Sequence, residues 1–193
     1  MLNRLETFDE RVFLWLNSRH NAFFDPIMYC ASDELFWIPL YLLLFFFLLH
    51  RYRRFTWYLL ACIVAMVGVS DQLSSHLIKN LVRRLRPSHA PALAGRIHLS
   101  LAGPGGDYGF VSSHATNSFA LALFLTLVLP REYRPLKILL FCWALLVGYS
   151  RVYNGVHYPG DVLCGALLGC LLACIFAWLF KRLVGVWLLS RQD

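Results

Sequence analysis

Residues 160–180 read GDVLCGALLGCLLACIFAWLF and carry one charge, that of Asp161, near their beginning. A helix that crosses the hydrocarbon core of a bilayer needs roughly 20 mainly apolar residues. A β-strand is excluded, because the apolar run is too long and does not alternate with polar residues. The stretch therefore predicts a membrane-spanning helix.

Four further stretches have the same apolar character, at about 26–49, 55–80, 113–129 and 135–153. Of all 193 residues, 59% are hydrophobic and 15% are charged, whereas a soluble domain usually has about 25% charged residues. This balance excludes a disordered chain, a collagen-like rod and an ordinary soluble globule. We predict an all-α polytopic membrane helical bundle with about five to six transmembrane helices, forming a single domain over residues 1–193.

The first 22 residues differ from the spans, because charges interrupt their apolar residues. Apolar side chains recur at helical spacing, and they include Leu5, Phe8, Val12 and Leu16. This pattern is typical of an amphipathic helix that lies along the membrane surface. No cleavable signal peptide is expected, since the early charges leave no apolar core for one. A retained membrane helix is then the predicted export signal.

Lys and Arg outnumber Asp and Glu 18 to 11. The basic residues fall between the apolar segments, where lipid phosphates are the nearest anions, so we expect membrane contacts and no nucleic acid partner. The six cysteines lie in apolar runs without a C-x-x-C pair and are interpreted as small hydrophobic residues. Gly165 and Gly169 form a G-x-x-x-G, which favours close packing against another helix of the same chain.

Three polar clusters stand at the ends of the predicted spans. They are the run from Lys79 to Pro87, the run from Val111 to His114 and the run from Ser150 to Asp161. If the spans alternate in direction, all three clusters lie on the same side of the membrane. Charges close to membrane spans are costly and generally mark a functional site. We therefore expect the three clusters to form one pocket.

The residue types in this pocket favour a phosphate. Lys79, Arg86 and Arg151 provide positive charge, and arginine presents a planar fork that matches phosphate oxygens. Ser112 and Ser113 stand where the third predicted span begins, so their hydroxyl and backbone N–H groups can face an anion. These five residues are the predicted phosphate-binding set.

Two histidines and one carboxylate supply candidate chemistry. His157 and Asp161 are four residues apart, which places them on one helical face if the first turn of the last span extends back to His157. Asp161 would then fix the imidazole tautomer and leave Nε2 of His157 as a nucleophile. His114 could protonate the leaving oxygen and then activate water. The sequence predicts phosphoryl transfer through a phosphohistidine.

Other interpretations remain open at this point. His157 and Asp161 could ligate a metal, but a zinc site would need a third and a fourth ligand, and we expect neither metal nor cofactor. Asp71, His76 and Lys79 could instead serve a transporter or a proton relay. A vanadate-dependent haloperoxidase would use a similar constellation of residues in a larger, soluble chain.

The three clusters resemble the motifs of the type 2 phosphatidic acid phosphatase (PAP2) family, which are K-x6-R-P, P-S-G-H and S-R-x5-H-x3-D. The first motif is matched in full from Lys79 to Pro87, and the third from Ser150 to Asp161. The middle motif departs from the pattern, because Val111 replaces proline and Ser113 replaces glycine. The resemblance covers about residues 55–180.

The resemblance implies roles for the matching positions. His157 would be the nucleophile, Asp161 its support and His114 the acid, and the phosphate would be held by Lys79, Arg86, Ser112, Ser113, His114 and Arg151. It implies a metal-independent lipid phosphatase at the outer face of a bacterial inner membrane. Undecaprenyl diphosphate is the first expected substrate; phosphatidylglycerophosphate, phosphatidic acid and a lipid A phosphate are alternatives.

The positive-inside rule gives modest support to that orientation. Nine Lys or Arg fall on each side of the predicted spans. Setting aside Lys79, Arg86 and Arg151, which the phosphate hypothesis uses, leaves nine against six. The side opposite the pocket is then predicted to be cytoplasmic.

Overall fold

The computed structural model describes residues 2–101 and 103–189, so the ends of the predicted 1–193 domain lie outside the described residues. The described chain is helical and contains no strand, which confirms the predicted all-α class. Its α-helices are α1 Leu2–Asn17, α2 Phe24–Ser32, α3 Ile38–Tyr52, α4 Phe55–Asp71, α5 Lys79–Val82, α6 Ser113–Val128, α7 Arg134–Tyr153 and α8 Pro159–Leu189.

Four helical segments are long and apolar enough to cross a membrane, namely Leu35–Tyr52, Phe55–Val82, Arg131–Tyr153 and Pro159–Leu183. The helix α6 is also apolar, but its 16 residues make it shorter than the others. It packs against α4, α7 and α8, and one apolar core cluster joins these helices with α3. The predicted membrane bundle is thus confirmed.

The prediction of one continuous helix over residues 26–49 is wrong. The helix α2 ends at Ser32, and Asp33 is extended with φ −87° and ψ 125°. A carboxylate oxygen of Asp33 accepts a hydrogen bond from the backbone N–H of Leu35 at 3.1 Å. A short aspartate side chain that binds nearby backbone in this way competes with helix propagation. The membrane-crossing segment therefore begins at Leu35, after a break.

The second span, Phe55–Val82, changes its winding before it reaches the first motif. The helix α4 continues through a π-helical segment, Gln72–Ile78, into the short α5. Such π-helical turns are uncommon and occur frequently at functional sites, because the extra residue per turn rotates the side chains that follow. Here the segment directly precedes Lys79.

The helices α6 and α8 approach closely at the G-x-x-x-G. A β-carbon placed on Gly165 would lie 2.6 Å from the carbonyl oxygen of Ser112. One placed on Gly169 would lie 3.0 Å from the backbone nitrogen of Ala120 and still closer to the carbonyl oxygen of Thr116. Both glycines pack within the chain, as the motif predicts. This contact brings the beginning of α6 beside the beginning of α8.

We expect Gly165→Ala to destabilise the protein by about 1–3 kcal/mol, because the new methyl group meets backbone that cannot move without separating the helices. The midpoint of thermal unfolding in detergent measures the effect. Gly68→Ala is the matched control, since a β-carbon there meets no described atom within 4 Å beyond its own helix backbone and chain neighbours, and α4 gains helix propensity. Equal midpoints for the two variants would contradict the close contact.

Candidate active site

The structure brings the three polar clusters together around His157. His157 is 1% exposed and Asp161 is fully buried. Burial, followed by the positive charges of Arg151, Arg86 and Lys79, holds the pKa of His157 well below its ordinary value. The imidazole is therefore neutral at neutral pH, and it is surrounded by cations from three separate segments of the chain.

Lys79 reaches α6 through the side chain that departs from the PAP2 motif. Its Nζ donates to Oγ of Ser113 at 3.0 Å, and Oγ of Ser75 lies 2.8 Å from the same oxygen. Ser75 in turn donates to a carboxylate oxygen of Asp71 at 2.8 Å. Ser113 thus joins the π-helical segment to the pocket. Ser75 was not among the predicted site residues, although its position four residues before Lys79 places it on the same side of the helix.

Ser112 is the N-cap of α6. Its backbone is extended, and its Oγ accepts from the N–H of Ala115 at 3.5 Å. Its own N–H donates to the carbonyl of Asp161 at 3.0 Å. This bond fixes the beginnings of α6 and α8 relative to each other. The prediction that Ser112 stands at a helix start is confirmed.

Arg86 is held by the loop that follows it. Its Nε donates to the carbonyl of Tyr108 at 3.1 Å, and its backbone N–H donates to the carbonyl of Asp107 at 2.9 Å. The backbone N–H of Gly109 donates to the carbonyl of Arg84 at 2.8 Å, so the two segments are paired on both sides of Arg86 and Tyr108. A β-carbon at Gly109 would lie 3.0 Å from a carboxylate oxygen of Asp161, so glycine permits the close approach. The 88–110 loop is therefore packed onto the site.

Arg151 lies at the end of α7. Its Nη1 donates to the hydroxyl of Ser32 in α2. Its Nε is buried and has no hydrogen-bond partner within the described part of the chain. Buried polar groups are nearly always paired, and an unpaired guanidinium N–H in a pocket of this kind suits an anionic ligand.

His157 and Asp161 face each other, but the predicted local geometry is wrong. The helix α8 begins at Pro159, so His157 precedes the helix and does not belong to its first turn. Its Nδ1 lies 3.5 Å from Oδ2 of Asp161, longer than a good hydrogen bond. The same Oδ2 accepts a hydrogen bond from the backbone N–H of Tyr158 at 3.0 Å. This bond holds the carboxylate at the N-terminus of α8.

His114 stands in the first turn of α6. Its Nε2 lies 3.5 Å from a carboxylate oxygen of Glu34, which is largely exposed. Glu34 was not predicted as a site residue. Glu34 lies in the break between the end of α2 at Ser32 and the turn that begins at Leu35.

Arg84 was also missed, although it lies within the first motif. Its Nη1 donates to Oδ1 of Asp161 at 2.7 Å, and its Nη2 donates to Oδ2 of Asp9 at 2.8 Å. Burial alone would lower the pKa of Arg84, but the two carboxylates outweigh it and raise that pKa. In the sequence, its position two residues before Arg86 was the feature that could have indicated a role in the site.

A cavity of about 370 Å³ extends from this site into the bundle. Glu34 and His114 line its polar end, together with Asp33 and Asn117. The remainder is lined by apolar side chains of α3, α4, α6 and α7, including Leu48, Ile63, Val67, Leu121, Leu125 and Val147. The cavity therefore combines a polar mouth with an apolar interior.

A group of potential metal ligands within the described chain lies apart from this pocket, at His20, Asp25 and His98. The two imidazole rings are stacked, with centroids 3.9 Å apart and planes inclined by 5°. Asp25 accepts the Tyr153 hydroxyl at 2.7 Å and lies 3.0 Å from Nε2 of His98. Parallel imidazoles do not direct their lone pairs at a common point, so the contacts describe a hydrogen-bonded cluster that ties the loop to α2 and α7.

The fold and the pocket together define a class: helical membrane proteins with a buried, cation-lined site suited to a phosphate. The model of the PAP2 superfamily matches residues 55–184, which is more than half of the chain, and the chain belongs to this superfamily. It is 33% identical over 173 residues to a lipid A 4'-phosphatase of Bacteroides thetaiotaomicron, covering 87% of this chain and 75% of that protein.

Two further similarities extend over most of the chain. An undecaprenyl-diphosphatase of Sulfolobus acidocaldarius is 32% identical over 164 residues, covering 83% of this chain and 73% of the relative. The crystal structure of a transmembrane PAP2-type phosphatidylglycerolphosphate phosphatase from Bacillus subtilis superposes with a TM-score of 0.71 at 26% identity. The alignment covers 93% of this chain and 88% of that structure. The protein is a membrane lipid phosphatase, and the family resemblance is confirmed.

Proposed function

We propose that this phosphatase removes a phosphate from a lipid headgroup through a phosphohistidine on His157. The observation that supports the proposal most directly is the position of His157: a buried imidazole beside Asp161, near enough to Lys79, Arg86 and Arg151 for their charges to lower its pKa. Neutral imidazole is the nucleophilic form, and cations stabilise the charge that develops on the phosphoryl oxygens. No metal ion is needed in this scheme.

The phosphate would lie between Lys79, Arg86 and Arg151, with Ser112 and Ser113 at the beginning of α6. The Nε of Arg151, which has no hydrogen-bond partner among the described residues, is available to one phosphoryl oxygen. The N–H groups at the start of α6 and its positive dipole end favour the same anion. Positioning and charge stabilisation of this kind supply most of the catalysis in phosphoryl transfer.

In the first step, Nε2 of His157 attacks phosphorus while the bond from phosphorus to the lipid oxygen breaks. The negative charge of the bound phosphate offsets the surrounding cations and allows His114 to be protonated. His114 donates its proton to that oxygen, and the dephosphorylated lipid leaves. The phosphorylated ring keeps its proton on Nδ1, where the carboxylate of Asp161 balances the positive charge. The 3.5 Å separation then shortens as the imidazole gains charge.

In the second step, neutral His114 takes a proton from water, and the resulting hydroxide oxygen attacks phosphorus. The bond between phosphorus and Nε2 breaks, so His157 regains its lone pair. Inorganic phosphate leaves, and His114 is again protonated. One water is consumed for each phosphate released, and both histidines return to their starting states.

For the substrate, we favour a phosphomonoester on a sugar headgroup of the lipid A type. The similarity to a lipid A 4'-phosphatase over 87% of the chain supports this choice. Glu34 at the pocket mouth supports it as well, because a carboxylate there would accept hydrogen bonds from sugar hydroxyls and would repel a second phosphate. Undecaprenyl diphosphate, phosphatidylglycerophosphate and phosphatidic acid are the competing substrates.

A substrate panel tests the function. Purified protein in detergent is given each of the four lipids, and phosphate release is compared through kcat/KM. We expect a lipid A phosphate to give the largest value and a chelator to leave all values unchanged. If undecaprenyl diphosphate gives the largest value, it replaces the lipid A phosphate as the proposed substrate. If no lipid releases phosphate, the proposed function is overturned.

The proposal also places the protein in a bacterial inner membrane with the pocket on the outer face. Nine basic residues lie on the opposite side and six on the pocket side once Lys79, Arg86 and Arg151 are assigned to the phosphate, which supports that orientation. Phosphate release from a lipid confined to the outer leaflet of right-side-out vesicles is the expected result. Release from inside-out vesicles alone would contradict it.

We propose that the apolar cavity holds the first part of the lipid tail. Val67→Trp should fill its interior and lower kcat/KM for a long-chain lipid about five- to tenfold, while leaving a short soluble phosphate ester unaffected. Val64→Trp is the matched control, because Val64 lies on the same helix, is 70% exposed and does not line the cavity. Equal losses with both esters would contradict a tail site.

A further inference from the structure

The helix α1 presents one face to the protein interior. Asp9, Phe13 and Asn17 are four residues apart and therefore lie on the same side of the helix. Phe13 is fully buried and packs against the ring of Tyr158, with centroids 5.4 Å apart. Asn17 donates to the carbonyl of Tyr153 at 2.9 Å and accepts from the N–H of His98 at 2.7 Å. These contacts determine where Asp9 lies.

Asp9 makes two contacts near the catalytic pair. Its Oδ1 accepts the backbone N–H of Gly160 at 2.8 Å, in the first turn of α8, where the helix dipole favours negative charge. Its Oδ2 accepts from Nη2 of Arg84 at 2.8 Å. The side chains of Asp9 and Arg84 are 15% and 20% exposed, so little water competes for these bonds.

Arg84 shares its guanidinium between two carboxylates. While Nη2 binds Asp9, Nη1 binds Oδ1 of the fully buried Asp161 at 2.7 Å. The guanidinium also stacks over the ring of Tyr158, with its carbon 4.1 Å from the ring centroid. The other oxygen of Asp161 faces Nδ1 of His157. A continuous chain of contacts therefore runs from α1 to the nucleophile.

We propose that Asp9 is a positioning residue of the phosphatase: by holding one arm of Arg84, it keeps Asp161 directed at Nδ1 of His157. Without the carboxylate of Asp9, the fork of Arg84 is free to bind both oxygens of Asp161, the preferred arrangement for this pair. Oδ2 of Asp161 would then turn away from the imidazole. The inference rests on the proposed role of His157.

Asp9 could instead act only as a cap for α8 through Gly160, in which case its loss would lower stability and nothing else. Asp9→Asn separates the two roles, because the amide oxygen can still accept from Gly160 while the charge that binds Arg84 is lost. The decisive measurement is a double-mutant cycle with Arg84→Gln, since contacts in one network are not additive. Glu6→Gln, on an exposed turn of α1, is the matched control.

Phosphate release from the lipid with the largest kcat/KM in the substrate panel is measured in detergent micelles for all variants, together with the midpoint of thermal unfolding. We expect Asp9→Asn to lower kcat about tenfold, equivalent to ~1.4 kcal/mol, with KM changed less than twofold. In the Arg84→Gln background the same substitution should cost less than twofold. Glu6→Gln should match the parent protein.

Two results would overturn the inference. An Asp9→Asn variant with parental kcat shows that Asp9 does not act on the site. An undiminished loss in the Arg84→Gln background, accompanied by a lower unfolding midpoint, assigns Asp9 to capping alone. The proposed function is tested separately in the same series: if His157→Ala retains parental activity, the role of His157 fails, whatever Asp9→Asn does.

Discussion

We expect replacement of His157 with alanine to abolish phosphate release, with a loss of at least about 10⁴-fold in kcat, because the proposed mechanism transfers the phosphoryl group to this imidazole. The imidazole is 1% exposed, so its removal also leaves a cavity. His157→Gln, which fills more of the space, should be equally inactive. The measurement is phosphate release under single-turnover conditions with a short-chain lipid phosphate.

Folding and phosphate binding are controlled in the same variants. The cations around the pocket remain in His157→Ala, so inorganic phosphate should still raise its unfolding midpoint. In the parent protein, rapid quenching with a radiolabelled lipid phosphate should trap a protein-bound phosphate that is stable in alkali and labile in acid. A variant that keeps binding phosphate and keeps a tenth of the parental turnover would contradict the nucleophile assignment.

Replacing His114 with asparagine is expected to lower kcat for a lipid phosphate about 10²- to 10⁴-fold, the usual contribution of a general acid–base group. The alkoxide of a lipid headgroup is a poor leaving group and needs the proton of His114. A p-nitrophenolate leaving group does not need that proton, so the first step should remain fast with the corresponding ester. The second step, hydrolysis of the phosphohistidine, still lacks the general base that His114 provides.

The expected signature is therefore a burst. With p-nitrophenyl phosphate, His114→Asn should release about one equivalent of p-nitrophenolate per protein and then turn over slowly, because the phosphohistidine accumulates. In the parent protein His114 activates the water that hydrolyses the phosphohistidine, so steady turnover should be faster and the burst smaller. Equal losses for lipid and nitrophenyl esters, without a burst, would mean that His114 only holds the phosphate.

The position of the helices was predictable where apolar length alone decides the outcome. The stretch 160–180 became the membrane-crossing part of α8, and the G-x-x-x-G became its contact with α6, because a small residue every fourth position leaves one face for another helix. The break in the 26–49 stretch was not predicted. Asp33 ends the helix through a local side-chain contact that competes with apolar length.

Some residues of the candidate site were also predictable from the sequence, and others were not. Lys79 and Arg86 were predictable as members of the candidate site, because charges beside membrane spans are too costly to be kept without a use. His157 was predictable from its spacing of four residues from Asp161. Ser75 and Glu34 were not, because each depends on how the backbone departs from a regular helix nearby, at the π-helical turns and at the break after α2. Those departures have no distinct signature in the hydropathy of the chain.

By itself the sequence determined that this chain spans a membrane and that three polar clusters with phosphate-binding chemistry end on one side of it. Only the tertiary structure decided how the clusters are held: Arg84 bridges Asp9 and Asp161, and Ser113 joins Lys79 to α6. The reason is that hydropathy and charge spacing report the environment of each segment along the chain. The contacts of Arg84 join residues that are 75 or more positions apart in the sequence. Such contacts depend on how the helices pack, which no local pattern records.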